Sequence, residues 1–351
     1  MFDLPLETSD FWKEIHEQPQ HIKNAYSRNR ELIKKLAAQV KKQEILHVIL
    51  VGRGSSEHAL QVSRIVCEVY AGYPASICSP STITLYHGAL RLQDALVIGV
   101  SQCGEAKDVY TVMKECEKQG GIALSITNEE VCLMRDIRYY MNCECGKEYS
   151  FTAGKPYMTQ VVILTALMLE LADMDCEGWV ERASALCEKT MNCDTEIRKV
   201  LPLFRNVADI YILGRGYSYA VGLEAELKIQ EASYTNARTY SSADYQHGPI
   251  AATSRRIPFI AYLCDEKTNR TTIDLIEKLK KNFHISTCVI SNQPQYCELG
   301  DCSILLDEKA EGIDSVIPLA TVSQMFACML SFARGYHPDK PTCLSKVTVT
   351  F

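Results

Sequence analysis

The chain carries the same pattern twice. ILHVILVGRGSSEHALQVSRIVCEVY near the amino end and ADIYILGRGYSYAVGLEAELKIQEA in the middle share one order of events: an apolar run, a Gly-Arg-Gly turn, then a helical pattern. Gly52 and Gly214 open the two turns, 162 residues apart (214 − 52). The same offset carries Ser101 to Leu263, at the end of IPFIAYL, and Ile137 of IRYYMNC to Leu299, beside CSILLDE. The apolar helix TQVVILTALMLELAD is answered by LATVSQMFACMLSFA. An internal duplication accounts for all of these coincidences. Apolar runs at Ala95 to Val100, in GIALSIT and in IRYYMNC alternate with helical patterns, so each half is expected to hold a parallel sheet with helices on both faces.

The expected organisation is a helical amino-terminal segment over 1–44, a first α/β domain over 45–175, a polar helical connector over 176–206, a second α/β domain over 207–336, and a tail over 337–351. HEQP at His16 to Pro19 is expected to start a new turn within the first segment. At 351 residues, 47% of them hydrophobic, two cores of ordinary size fit this division.

A net charge of −6 leaves no basic excess for a nucleic-acid surface, so no nucleic-acid partner is expected. The acidic amino terminus MFDLPLETSDFWKEIHEQ has no basic region followed by an apolar run, and Val161 to Leu169, read as the longest apolar stretch, is too short to cross a bilayer. The expectation is a cytoplasmic protein with no membrane partner. Sixteen cysteines are scattered from Cys67 to Cys343, and positions such as Cys264, Cys288 and Cys328 inside apolar runs fit buried free thiols. Cys143 and Cys145 form the one close pair, with no second pair at zinc-ligand spacing, so no metal and no cofactor is expected. GRGSSEH carries only two glycines of a dinucleotide fingerprint, and no GxxxxGK[ST], HExxH or GxSxG occurs.

Two turns of the first half are rich in small residues and hydroxyls: Gly52-Arg53-Gly54-Ser55-Ser56 and Ser101-Gln102-Cys103-Gly104-Glu105. Both precede helices at successive strand ends, where amides and the helix dipole favour an anion, although Ser-Gly turns also simply cap helices. In the second half, GLEAELKIQEASYTNARTYSSADYQHGP places Glu224, Lys228 and Glu231 on one helical face, with Ala225, Ile229 and Ala232 behind. A lysine four and three residues from two carboxylates can be a solvated ion-pair ladder or a tuned acid/base group. His247 follows in HGP, where Gly-Pro fixes a loop.

With KEIHEQP, VGRGSS, GVSQCGEAKD, LEAELKIQEASY, HGP and DKPTCLSKVTVTF in this order, the chain resembles the sugar isomerase (SIS) domain family in its duplicated form. That form includes the isomerase halves of glutamine–fructose-6-phosphate aminotransferases and stand-alone glucosamine-6-phosphate deaminases. The resemblance implies two tandem SIS-type, flavodoxin-like α/β/α sandwich domains with parallel sheets, and a sugar phosphate substrate. It implies that Ser56, Ser101 and Gln102, with Ser55 and Cys103 in the same turns, hold the phosphate. Glu231 matches the base that moves a proton between C1 and C2, Lys228 its neighbouring lysine and Glu224 a carboxylate beside them. His247 matches a ring-opening histidine supplied across a homodimer interface, and Lys346 a tail lysine that meets the open-chain carbonyl.

Four positions depart from the synthase pattern: Cys103 and Ala106 replace hydroxyl residues, and Ala153 and Gly154 replace a Ser-Thr pair. No glutaminase segment precedes residue 1, so the chain is expected not to draw ammonia from glutamine. The implied activity is aldose–ketose isomerisation coupled to amine removal or transfer on a hexosamine 6-phosphate. A fructosamine-6-phosphate deglycase is the alternative, against which Lys346 argues. A non-catalytic phosphosugar sensor is the alternative of another class.

Overall fold

The computed structural model describes residues 4–340. They divide into two compact units, one formed by 20–148 and 155–181, the other by 4–19, 149–154 and 182–340. Helix α1 (Asp10–Lys42) runs without a break through Pro19, so HEQP starts no new turn. The ring removes one intrahelical hydrogen bond, and the remaining ladder carries the helix on. In the second unit the Asp339 carboxylate accepts from the amides of Asp10 (2.8 Å) and Phe11 (3.1 Å), capping the start of α1.

The first unit contains β1 (His47–Val51), α2 (Ser55–Val66), β2 (Ala75–Ile77), the single turn α3 (Ser81–Thr84), β3 (Ala95–Val100), α4 (Lys107–Gln119), β4 (Ile122–Thr127), β5 (Tyr139–Asn142) and α5 (Lys155–Leu171), followed by α6 (Cys176–Thr190), whose first six residues belong to it. Its five strands are all parallel in the order β2-β1-β3-β4-β5. β3 and β4 are buried along their whole length, which is why they read as unbroken apolar runs rather than alternating ones. Helix α4 buries Val109, Val112, Met113 and Cys116 at helical spacing and ends at Gly120, whose φ of +89° closes the last turn. α5 packs on α2 and is buried on nearly every side.

The second unit repeats the plan with α7 (Asp194–Phe204), β6 (Asp209–Gly214), α8 (Tyr217–Ser233), β7 (Asn236–Ser241), β8 (Phe259–Leu263), α9 (Glu266–Phe283), β9 (Thr287–Ser291), the short turn α10 (Pro294–Cys297), β10 (Cys302–Leu305) and α11 (Val316–Ala333). Its sheet, β10-β9-β8-β6-β7, is also all parallel and has the same order counted from its first strand. The first residues of α2 and α8, Ser55 and Tyr217, keep the 162-residue offset (217 − 55). So do the first residues of β1 and β6, His47 and Asp209 (209 − 47). Gly54 (φ +52°, ψ −132°) and Gly216 (φ +61°, ψ −128°) occupy one backbone conformation, which a side chain would strain.

Strands β2, β7 and β9 were not singled out by the sequence pattern. β2 is three half-exposed residues at a sheet edge, and β7, NARTYS, is a polar edge strand, so neither presents an apolar run. Helix α11 corrects the membrane-length expectation, because the stretch Gly312–Ala333 is long and apolar enough to cross a bilayer. It is 94% buried, packed against α8 and α7. Cys143 and Cys145 are free and fully buried, and burial pushes both thiols up, that of Cys143 to about 12.

Candidate functional site

In a sheet of order 2-1-3-4-5 the chain leaves strand 1 and strand 3 in opposite directions, opening a crevice at their carboxyl ends. In the first unit the residues at that crevice are Gly52 to Ser56 after β1 and Ser101 to Ala106 after β3. A Cβ on Gly52 would stand 3.0 Å from Leu60 Cδ1 and 3.3 Å from the Glu57 amide, so glycine lets α2 begin immediately after the strand. Ser55 is the first residue of α2, and Ser56, nearly buried, donates its amide to the Arg53 carbonyl (3.1 Å). A Cβ on Gly54 would meet nothing within 4 Å, so the space before this helix start is open.

The second turn is held from below. The Ser101 amide donates to Ile126 O (3.1 Å), its Oγ accepts from the Gly104 amide (3.2 Å), and Cys103 Sγ lies 3.8 Å from that Oγ. Gly104 has φ +69° and lies against the Cys132 thiol, leaving no room for a side chain. Gln102 Nε2 donates to Glu148 Oε2 (3.0 Å), and Glu148 Oε1 accepts from the Lys155 amide at the start of α5 (3.2 Å). Glu148 was not anticipated from the sequence, where KEYSF gives no periodic signal. Ala106, at the N-cap of α4, offers no side-chain cap. Arg53 was also passed over: its Nε donates to Asp108 Oδ2 (3.1 Å), and Nη2 bonds the same oxygen. The repeated Gly-Arg-Gly could have marked it.

At the matching turn of the second unit, a Cβ on Gly216 would stand 3.4 Å from Thr268 Cγ2 and 4.0 Å from Oδ2 of Asp265, just after β8. Burial pushes the Asp265 carboxyl up from its ordinary value, against the hydrogen bond from the Lys267 amide.

The second unit instead concentrates charge on α8. Lys228, 1% exposed, places Nζ 3.4 Å from Glu224 Oε1 and 2.8 Å from Glu231 Oε2. Glu224 is buried with it, whereas the Glu231 side chain is 25% exposed and its Oε1 has no hydrogen bond to any described residue. Ala225, Ile229 and Ala232 are buried, as the spacing predicted. Two of the three charged groups are therefore core residues, and the third is the end that a solute can reach.

His247 ends a short 3-10 turn, Asp244–His247, beyond β7 and is exposed, with no hydrogen bond to a described residue. Beneath it Tyr245 is fully buried against Tyr211, Tyr240 and Phe259, and its hydroxyl lies 2.8 Å from Thr253 Oγ1. Gly248, at φ +143°, completes a loop that only glycine enters without strain. The structure thus gathers Ser55, Ser56, Ser101, Gln102 and Cys103 at the crevice of the first unit, and Glu224, Lys228 and Glu231 on α8 of the second. Lys346 lies outside the described residues. Gly154, one of the four departures, fills a place where a Cβ would press on Gln324 Oε1 (3.0 Å) and Phe11 (3.2 Å).

Comparison with known proteins gives the following likenesses. The SIS domain family matches residues 203–334. The glutamine–fructose-6-phosphate aminotransferase [isomerizing] of Pyrococcus horikoshii is 29% identical over 350 residues, covering 96% of this chain and 57% of that protein. The chain thus spans a little over half the length of the curated relatives it matches. Among solved structures, the C-terminal domain of glucosamine-fructose-6-phosphate aminotransferase from Francisella tularensis superposes with a TM-score of 0.82 at 22% identity, over 95% of this chain and 98% of that one. The glucosamine-6-phosphate deaminase of Thermotoga maritima superposes with a TM-score of 0.77 at 19% identity, over 97% and 100%. At these identities the structural likeness shows the shared fold.

Proposed function

We propose, from the premise that the chain belongs to the SIS domain family, that it is a phosphosugar isomerase acting on a hexosamine 6-phosphate, with isomerisation coupled to amine removal as in a glucosamine-6-phosphate deaminase. The observation that carries the reading is the α8 triad, in which the buried Lys228 ammonium grips one oxygen of Glu231 and leaves the other free in a partly exposed carboxylate. A base for carbon acids needs a fixed orientation and one unencumbered oxygen, and this arrangement supplies both.

In this reading the turns at 52–56 and 101–106 anchor the phosphate through amides and the hydroxyls of Ser55, Ser56 and Ser101, with Gln102 steadied by Glu148. Glu231 takes the proton from C2 of the open-chain aldose form and returns it to C1 while an amine proton passes to O1, giving a C2 imine that water hydrolyses to the ketose and ammonia. Lys228 and Glu224 form a neutral pair that keeps the Glu231 carboxylate in place. His247, exposed on its loop, opens the sugar ring from the partner subunit of a homodimer, and Lys346 polarises the open-chain carbonyl. The finished steps need no redox partner, since isomerisation moves one proton from C2 to C1 and one from the C2 substituent to O1, and amine release consumes one water.

The test is incubation with glucosamine 6-phosphate in deuterated water, following ammonia, ketose 6-phosphate and deuterium at C1 or C2. Wild-type protein should incorporate deuterium and release ammonia. Glu231→Gln should lower turnover about 10²–10⁴-fold while ligand-induced thermal stabilisation persists. Binding without exchange or product, across a panel that includes fructosamine 6-phosphates and ketose 6-phosphates, would leave a sensor in place of an enzyme. Undiminished exchange in Glu231→Gln would remove that residue as the base.

A further inference from the structure

We propose that Arg53 supplies the positive charge of the phosphate cradle, aimed for that task by the buried carboxylate of Asp108. The inference rests on the reading of the 52–56 and 101–106 turns as a phosphate site and adds a residue that the family resemblance does not assign.

Arg53 stands in the turn after β1, and Asp108 in the first turn of α4, which follows β3, so their bridge spans the crevice. Asp108 Oδ2 takes Nε and Nη2 of the guanidinium, and Oδ1 accepts from the Val109 amide (2.8 Å). With Nε and Nη2 engaged the guanidinium plane is fixed, and Nη1 bonds no described residue. The carboxylate is 2% exposed and the arginine side chain 49% exposed, so the pair presents its cationic end to solvent and its anionic end to the core. A solute at the mouth of the crevice meets the nearer, positive charge. A planar fork with spare donors is the geometry that grips phosphate oxygens.

Two further observations favour a ligand over a purely structural bridge. First, positions 103 and 106 of the second turn carry a thiol and a methyl, so neither supplies a hydroxyl donor to an anion. Second, the duplication provides an internal comparison. Arg215 occupies the place of Arg53 in the second unit, yet its Nη1 goes to the Thr271 hydroxyl (2.9 Å), and the second residue of α9, where α4 has Asp108, is Lys267. There the turn forms with its arginine on a hydroxyl instead of a bracing carboxylate. The Gly-Arg-Gly turn does not need the brace. Among the described residues only the first unit's turn has it.

The test titrates wild type, Arg53→Gln, Arg53→Lys, Arg53→Gln/Asp108→Asn, Ser101→Ala and Arg215→Gln with glucosamine 6-phosphate, inorganic phosphate and glucosamine. Arg53→Gln should weaken both phosphate ligands about 10- to 100-fold, as expected for a lost charge-assisted contact, with Arg53→Lys between it and wild type and Arg215→Gln unchanged. The Asp108→Asn partner substitution removes the unpaired buried carboxylate, so the double variant should recover Tm but not affinity. Recovery of both would make the bridge structural and overturn the proposal. Loss of affinity in Ser101→Ala with Arg53→Gln within twofold of wild type would keep the cradle and remove Arg53 from it. A wild type that responds to neither phosphate ligand would overturn cradle and arginine together.

Discussion

Replacing Lys228 by methionine tests whether the α8 triad is an electrostatic unit, because the substitution keeps length and apolar bulk while deleting the charge. The ammonium lies 2.8 Å from one carboxylate and 3.4 Å from another. At an effective dielectric of about 20, either contact corresponds to roughly 5–6 kcal/mol of attraction, much of which offsets desolvation of the buried groups. Removing the cation takes the Lys228 ammonium away from both carboxylates, of which Glu224 is 2% exposed. Lys228→Met is therefore expected to lose about 3–5 kcal/mol, the usual cost of breaking a buried pair from one side. Glu224→Leu/Lys228→Met, which removes both buried charges together, should be more stable than the single variant. Urea unfolding followed by circular dichroism measures both. A loss below about 1 kcal/mol in Lys228→Met, or a double variant no more stable than the single one, would refute the account of a buried charge held by mutual compensation.

Two further outcomes follow from the same geometry. Asp265 has a carboxyl pushed up by burial, so its contribution to stability is fully present below its unfolded value and is lost as pH rises through the higher folded value. Asp265→Asn should therefore stabilise the protein at pH 7, and the gain should disappear as pH falls below the ordinary carboxylate range; a gain that grows on acidification would contradict the burial argument. If His247 serves the site of a partner subunit, mixing inactive His247→Ala and Glu231→Gln chains should restore part of the activity through hybrid dimers, and no recovery after demonstrated subunit exchange would put both residues in one chain's site.

How much could be read from the sequence depended on whether a residue belonged to a repeating physical pattern. β3 and β4 were legible because burial on both faces forces unbroken apolar runs, and α8 because its charged and small residues alternate at helical spacing. β7 was not, since an edge strand of polar residues obeys no burial constraint strong enough to pattern it. Glu148 and Asp108 escaped for a different reason. Each is a single acid whose role depends on a partner 46 or 55 residues away, and no local spacing encodes such a pairing. The loop of His247 was legible as a loop from Gly-Pro, but its anchoring by Tyr245 on an aromatic cluster required the packed sheet.

The duplication also shows what the α8 charges are not for. At the 162-residue offset, Glu224 and Lys228 correspond to Val62 and Val66 of α2, both fully buried. The same backbone in the same place is thus satisfied by two valines, and a buried ion pair is often no more stabilising than well-packed apolar side chains of similar volume. Glu231 is 25% exposed, so the charged set runs from the core outward to the surface along one face of the helix. Folding alone supplies no reason to carry two buried charges where the other half carries valines. The opposite asymmetry appears at the Gly-Arg-Gly turns, where Arg53 of the first unit is braced by Asp108 and Arg215 of the second bonds the Thr271 hydroxyl. Each half carries a charged arrangement that the other lacks. That pattern follows if one half keeps the anion grip and the other the proton-moving carboxylate, and it predicts that Glu224→Val/Lys228→Val, which writes the α2 pair into α8, folds with near wild-type stability yet has no turnover. A double variant that retained full isomerase activity would separate the triad from the chemistry, and one that failed to fold would show that the two helices, for all their shared register, do not pack against equivalent cores.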